Sequence, residues 1–289
     1  MKLKLQFILF LLLQSIVFAQ CPPDGVFNSQ AEIDALVVNY PNCDQLGTLS
    51  ISGADINDLT PFSNINLIDG LNINNNLLLT TLVGLENIEI TTIIGNQSGL
   101  IIINNPILTS MEYLPGFQNP TSAIVSIQNN PLLENLIGLS HTEVADAFII
   151  RNNNTLVDLT GLDNLVFAGP LVVEDNDGLI DLTGISPDFA SGLILINNSS
   201  LQSLNGLDSA PREFGFEITD NVSLTDISQV SSYNLIGFNL SGNTSLSDCS
   251  ISSICYALNN VPSDIFFINN ATGCNSIEEV QAECTQCPT

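Results

Sequence analysis

From residue 49 onward the chain repeats one short phrase of apolar and polar positions. Its anchor is an asparagine, met at Asn76, Asn105, Asn130, Asn153, Asn176, Asn198, Asn221, Asn243 and Asn270, most often 22 or 23 residues apart. Five and three residues before each anchor stand apolar side chains, as in Leu100 and Ile102, Phe148 and Ile150, or Leu193 and Leu195. Three residues after it comes a leucine, from Leu79 through to Leu246. Six residues after it the chain is apolar again, at Leu82, Met111, Leu136, Leu159, Leu182, Leu204 and Ile227. A glycine and a further leucine often follow, as in Gly161-Leu162 and Gly206-Leu207. Leu49 to Leu59 keeps the phrase with one residue fewer, Gly53 standing near the asparagine's place, which makes about ten coils.

Alternate apolar positions predict a short strand with one face turned inward. The anchor asparagine is expected to end that strand, because asparagine tolerates left-handed backbone and bonds nearby main-chain groups. Coils stacked at the strand spacing of about 4.8 Å would then set the asparagines in a column. The leucines that follow fill the core as the chain crosses back. No coil can bury its apolar face alone, so stability is shared between neighbours and the ends need covers. The predicted fold class is a β-solenoid, a right-handed parallel β-helix of the leucine-rich-repeat-like kind with short helical caps.

Both covers are legible. Ser29-Gln30-Ala31-Glu32 is a capping box that opens a short helix carrying Ile33, Leu36 and Val37 toward the first coil. At the far end Ile251, Ile254, Cys255 and Leu258 have helical spacing, and a second short helix carries Ile277, Val280 and Cys284. Residues 1–20 read as an export signal, with Lys2 and Lys4 ahead of an apolar stretch and Ala19 as the small residue for cleavage. That stretch is too short to span a bilayer. A lipoprotein signal is the alternative because Cys21 follows, although Gln20 stands where a small residue is expected. The expected division is a signal at 1–20, an N-terminal disulfide cap at 21–48, solenoid repeats at 49–247 and a cysteine-rich terminal cap at 248–289.

The seven cysteines gather at the two ends. In an exported chain such a distribution predicts disulfides that staple the caps. Cys21 and Cys43 form the natural N-terminal pair. Cys249, Cys255, Cys274, Cys284 and Cys287 leave one thiol over, and spacing alone does not say which. A zinc site on Cys284-x-x-Cys287 would lack suitable further ligands, since the single histidine, His141, is remote.

Charge narrows the partners. Both lysines lie in the signal, so Arg151 and Arg212 alone oppose thirty carboxylates in the mature chain, a formal charge of −28 (2 − 30). Such a surface repels phosphate backbones and anionic lipid, which argues against nucleic-acid partners and membrane insertion.

The opening Cys21-Pro22, the stretch Ser29 to Asp34, Tyr40-Pro41-Asn42-Cys43, the Leu-x-Ile-x-Asn-Asn coils and the closing run from Asp248 to Cys274 carry a resemblance. Together they resemble secreted bacterial proteins with receptor L-domain-like repeats, of the Flavobacteria type. The resemblance implies a solenoid with no catalytic residues to transfer, and a ligand met on the sheet face.

The outward strand positions are less regular than the inward ones. Ile149, Val172, Ile194 and Ile196 place apolar side chains there on three consecutive coils, beside Arg151 and Glu174. These six residues are the candidate binding surface, and the charged two predict a cross-strand ion pair. Catalytic material is thin: Asp158, Asp181 and Asp226 recur at one repeat position, and no nucleophile elbow or phosphate loop is present. The run Glu174-Asp175-Asn176-Asp177-Gly178 is rich in oxygen but lacks the closing glutamate of a calcium loop. No cofactor and no metal is therefore expected. The expected function is a non-catalytic exported binding or adhesion module for an extracellular protein or glycan, at the cell surface or outside the cell, or in the periplasm. A carbohydrate-active β-helix enzyme and a structural surface component are the alternatives.

Overall fold

The computed structural model describes residues 20–91, 99–114, 124–139, 144–145, 147–164, 166–167, 169–185, 192–207, 213–260 and 264–284. The stretch up to Ala19 that reads as an export signal, His141, Arg212 and Cys287 lie outside the described residues. The protein is a parallel β-solenoid built on one sheet of eleven strands. In spatial order these are Val26–Phe27, Thr48–Ile51, Gly70–Asn74, Leu100–Ile103, Ile124–Gln128, Ala147–Arg151, Leu171–Glu174, Leu193–Ile196, Glu213–Thr219, Asn234–Ser241 and Ile265–Ile268. Every neighbour pair is parallel, and the order along the sheet is the order along the chain. Ten of the strands are the expected coils; Val26–Phe27 is an additional edge strand in register with Ser50 and Ile51.

Register follows from the repeat. Leu71, Leu100, Val125, Phe148, Leu171, Leu193 and Phe216 sit side by side across consecutive strands, all inward and buried. A one-residue slip would turn this whole row to solvent, so the pattern itself holds the register. One irregularity occurs between Phe214 and Gly215, opposite which Ile236 is left over and stands 57% exposed. Leucines three and six residues past the anchors, such as Leu133 and Leu136 or Leu156 and Leu159, are fully buried. Among the described residues, strands outside the main sheet are two-residue fragments, Leu67–Ile68 with Glu89–Ile90 and Val144–Ala145 with Val166–Phe167.

The corner after each sheet strand divides its work between two adjacent residues, which corrects the sequence expectation. Left-handed backbone belongs to the residue before the anchor: Asn75, Asn104, Asn129, Asn152, Asp175, Asn197, Asp220 and Asn269 have φ between 53° and 60°. Glycine takes this place once, at Gly242. The anchors are free for hydrogen bonding and use every atom. Asn153 Oδ1 accepts from the backbone N–H of Asn130 (3.1 Å), and Asn153 Nδ2 donates to the Ile127 carbonyl (2.9 Å). The Asn153 backbone N–H donates in turn to Asn176 Oδ1 (3.0 Å). The same pattern runs from Asn76 to Asn270, and Gly53, at the first rung, donates its N–H to Asn76 Oδ1. Anchors 76 to 243 are fully buried. A buried amide is tolerated when each of its donors and acceptors is matched, and here the matching partners are the strand-end main-chain groups that would otherwise be orphaned.

At the opposite corner several coils require glycine. Gly161 has φ +114° and packs against the Leu136 backbone of the preceding coil, where a Cβ would collide. Gly206 stands in the same relation to Leu182.

The caps are short helices tied down covalently. The helix Gln30–Asn39 is capped by Ser29, whose Oγ accepts from the Glu32 N–H (3.3 Å), while Glu32 Oε2 accepts from the Asn28 N–H (2.6 Å). It buries Ile33 and Leu36. Val37, expected on the same face, is instead exposed, because the buried stripe of this helix is only two residues wide. Gln30 fastens the helix to the first coil by accepting from the N–H groups of Asn57 and Asp58. At the other end the helices Ser252–Asn260 and Ile277–Cys284 bury Ile254, Ala257 and Val280. Disulfides join Cys21 to Cys43, Cys249 to Cys274 and Cys255 to Cys284.

Candidate functional site

The outward rows of the sheet carry side chains that the core does not consume. Ser126, Ile149, Val172, Ile194 and Glu217 are direct neighbours along one row. Gln128, Arg151, Glu174, Ile196 and Thr219 form the row beside it. The structure thus brings Ile149, Arg151, Val172, Glu174, Ile194 and Ile196 onto one contiguous outward patch. All six are half-buried, less exposed than the sequence suggests, because each side chain in a parallel sheet is flanked by its neighbours on adjacent strands. Ser126 is buried at the patch border and accepts from Gln128 Nε2 (2.6 Å).

Arg151 and Glu174 form the expected pair, with Arg151 Nε donating to Glu174 Oε2 at 2.8 Å and the terminal Nη2 donating to the same oxygen. Their partly exposed setting makes this pair worth under about 1 kcal/mol. Its main effect is to leave the patch without net charge.

The carboxylates that suggested other chemistry are committed locally. Asp158 Oδ1 accepts from the Thr160 N–H, Asp181 Oδ1 from the Thr183 N–H and Asp226 Oδ1 from the Ser228 N–H, each at 2.9 Å. They close turns of one type at the same place in three coils. The Ser228 backbone N–H holds the Asp226 carboxyl below the usual carboxylate range, with smaller help from the Ser228 and Gln229 side chains against the opposing effect of burial. Within the oxygen-rich run, Glu174 faces Arg151, Asn176 is locked in the anchor column, and Asp177 accepts from Ser199 Oγ (2.6 Å). These oxygens point to different partners instead of converging on one centre. Cys284, half of the conceivable zinc pair, is bonded to Cys255.

A second feature lies at the corner beside the anchors. An open groove of about 390 Å³ is lined by Leu77, Asn104, Pro106, Asn129, Pro131, Asn152 and Asn154. Those residues come from four consecutive coils, immediately before or after the buried anchors Asn76, Asn105, Asn130 and Asn153. Along it the left-handed asparagines form an outer amide chain of their own. Asn104 Nδ2 donates to Asn75 Oδ1 (3.0 Å), Asn129 Nδ2 to Asn104 Oδ1 (2.8 Å) and Asn152 Nδ2 to Asn129 Oδ1 (2.9 Å). The Asn-Asn pair is visible in the sequence phrase, where a role is evident only for the second. The available signal was the persistence of a second asparagine at the preceding position.

Comparison of the chain with protein-family models, with curated proteins and with solved structures gave no match.

Proposed function

We propose that this chain is an exported, non-catalytic binding or adhesion module whose protein or glycan ligand sits on the outward face of the sheet. The observation that carries the reading is the apolar row Ile149–Val172–Ile194, in direct register on a face where the repeat leaves the residue open. Preference for β-branched residues in strands accounts for their type. It does not account for their clustering on three adjacent coils between Ser126 and Glu217. Export is supported by the N-terminal signal and by three disulfides, which persist in oxidising compartments. The resemblance to receptor L-domain-like proteins points to the same face.

The test is capture of ligands from cell-surface extracts and glycan arrays by the oxidised chain. Ile194→Asp is expected to abolish capture while leaving the melting temperature near that of the parent. If the aspartate disturbs the strand, Ile194→Thr keeps the β-branched shape and reads the same question. Undiminished capture by both variants would remove the sheet face as the site.

A further inference from the structure

We propose that the groove along the outer amide chain is a second binding site, and that its ligand is a linear, uncharged glycan. This goes beyond the sheet-face reading and shares with it only the exported setting.

The groove has the size of a ligand cleft, about 390 Å³. The chain carries thirty carboxylates, yet none of the residues lining the groove is charged. In the next coil the equivalent positions are Asp175 and Asp177, so the uncharged stretch ends where the groove ends. A charged ligand has no counter-charge here, and a polyanion is repelled by the surroundings.

The left-handed backbone does not by itself dictate amides. Aspartate holds the same conformation at Asp175 and Asp220, and glycine at Gly242. What distinguishes the stretch is the continuous chain Asn75–Asn104–Asn129–Asn152. Each interior amide spends one N–H and one carbonyl lone pair on its neighbours and keeps one of each. A donor and an acceptor on one fixed group are what a sugar hydroxyl pair requires. Holding the amides in a chain also removes the ordering cost on binding.

Across the buried anchors stand Leu77, Pro106 and Pro131, rigid apolar surfaces for the C–H faces of a sugar ring. The amides recur once per coil, at about the 4.8 Å strand spacing. That interval is close to the rise of one sugar unit in an extended chain, so a linear polymer can address consecutive coils.

Isothermal titration with neutral cello-, xylo-, manno- and laminari-oligosaccharides, and with oligogalacturonate as the acidic counterpart, tests the proposal on the full oxidised chain. At least one neutral series is expected to bind, with affinity rising with length up to about four units, one for each coil of the groove. Asn129→Asp keeps a residue that tolerates the left-handed turn, but it breaks the amide chain and adds a charge. It is expected to weaken binding at least about tenfold with little change in melting temperature. Pro131→Gly should weaken it through the opposite wall. Absence of neutral binding, preference for oligogalacturonate, or unchanged affinity in both variants would overturn the site. Binding lost in Ile194→Asp but kept in Asn129→Asp would also overturn it, while leaving the sheet-face reading in place.

Discussion

Two neighbouring asparagines with the same side chain perform different tasks in this corner. The first takes the left-handed backbone and links its amide along the surface, while the second closes a buried ladder. That difference makes a prediction at the single residue. Asn153→Ala strips the partners from the Asn130 N–H and the Ile127 carbonyl, all inside a dry column. An unsatisfied buried polar group costs about 1–3 kcal/mol, so chemical denaturation should show a loss of about 3 kcal/mol or more. Asn270→Ala, at the half-exposed last rung, should cost clearly less because water can replace the amide. The column was legible in sequence because a buried polar residue at fixed spacing has few explanations. The left-handed partner was not, since asparagine is an ordinary residue at either position and composition does not separate a turn from a ladder.

At the level of the element, the coils turn one corner on amides and, in several of them, another on glycine. Gly161→Ala introduces a Cβ at φ +114° against the Leu136 backbone, and a loss of at least about 1 kcal/mol in thermal or denaturant unfolding is expected. The caps depend on covalent links as much as on packing. Replacing Cys255 and Cys284 with serine should cost about 2–5 kcal/mol, with hydrogen exchange rising first in the helices 252–260 and 277–284. Strand and core positions could be read from the sequence because periodicity specifies which side chain is inside. Cysteine pairing at the C-terminus could not, because five thiols have several geometrically acceptable matchings until the two helices are placed. The Ser276–Glu279 box, in which Ser276 Oγ accepts from the Glu279 N–H and Glu279 Oε2 accepts from the Asn275 N–H, has the same pattern as the N-terminal one. It is easily passed over in a stretch dominated by cysteines. The groove was hidden for a further reason: it depends on residues from four coils that no local window brings together.

For the molecule as a whole, the dominant long-range term is self-repulsion among the carboxylates. A net charge this far from zero destabilises the compact state, and the effect is screened as the Debye length falls from about 30 Å in dilute buffer to under 10 Å above physiological salt. The melting temperature is therefore expected to rise by a few degrees between low salt and about 0.5 M sodium chloride. A flat or falling profile would mean that local pairs such as Arg151–Glu174 outweigh the general field. Stability at this scale is also modular: among the described residues each coil pairs in the sheet with the coils before and after it, and both ends are closed by short helices tied down by disulfides.

The outer amide chain has a direction, and direction limits how the coils can be exchanged. Asn104, Asn129 and Asn152 each pass a hydrogen back to the coil before. Asp175 can receive, as it does from Asn197, but it has no hydrogen to pass on. The coil 171–192 is therefore a terminator that fits wherever a run may stop, and it would cut the run if moved between the coils of Asn105 and Asn130. In a protein that grows by copying coils, such one-way joints mean that the order of the repeats carries information even where their shapes are interchangeable.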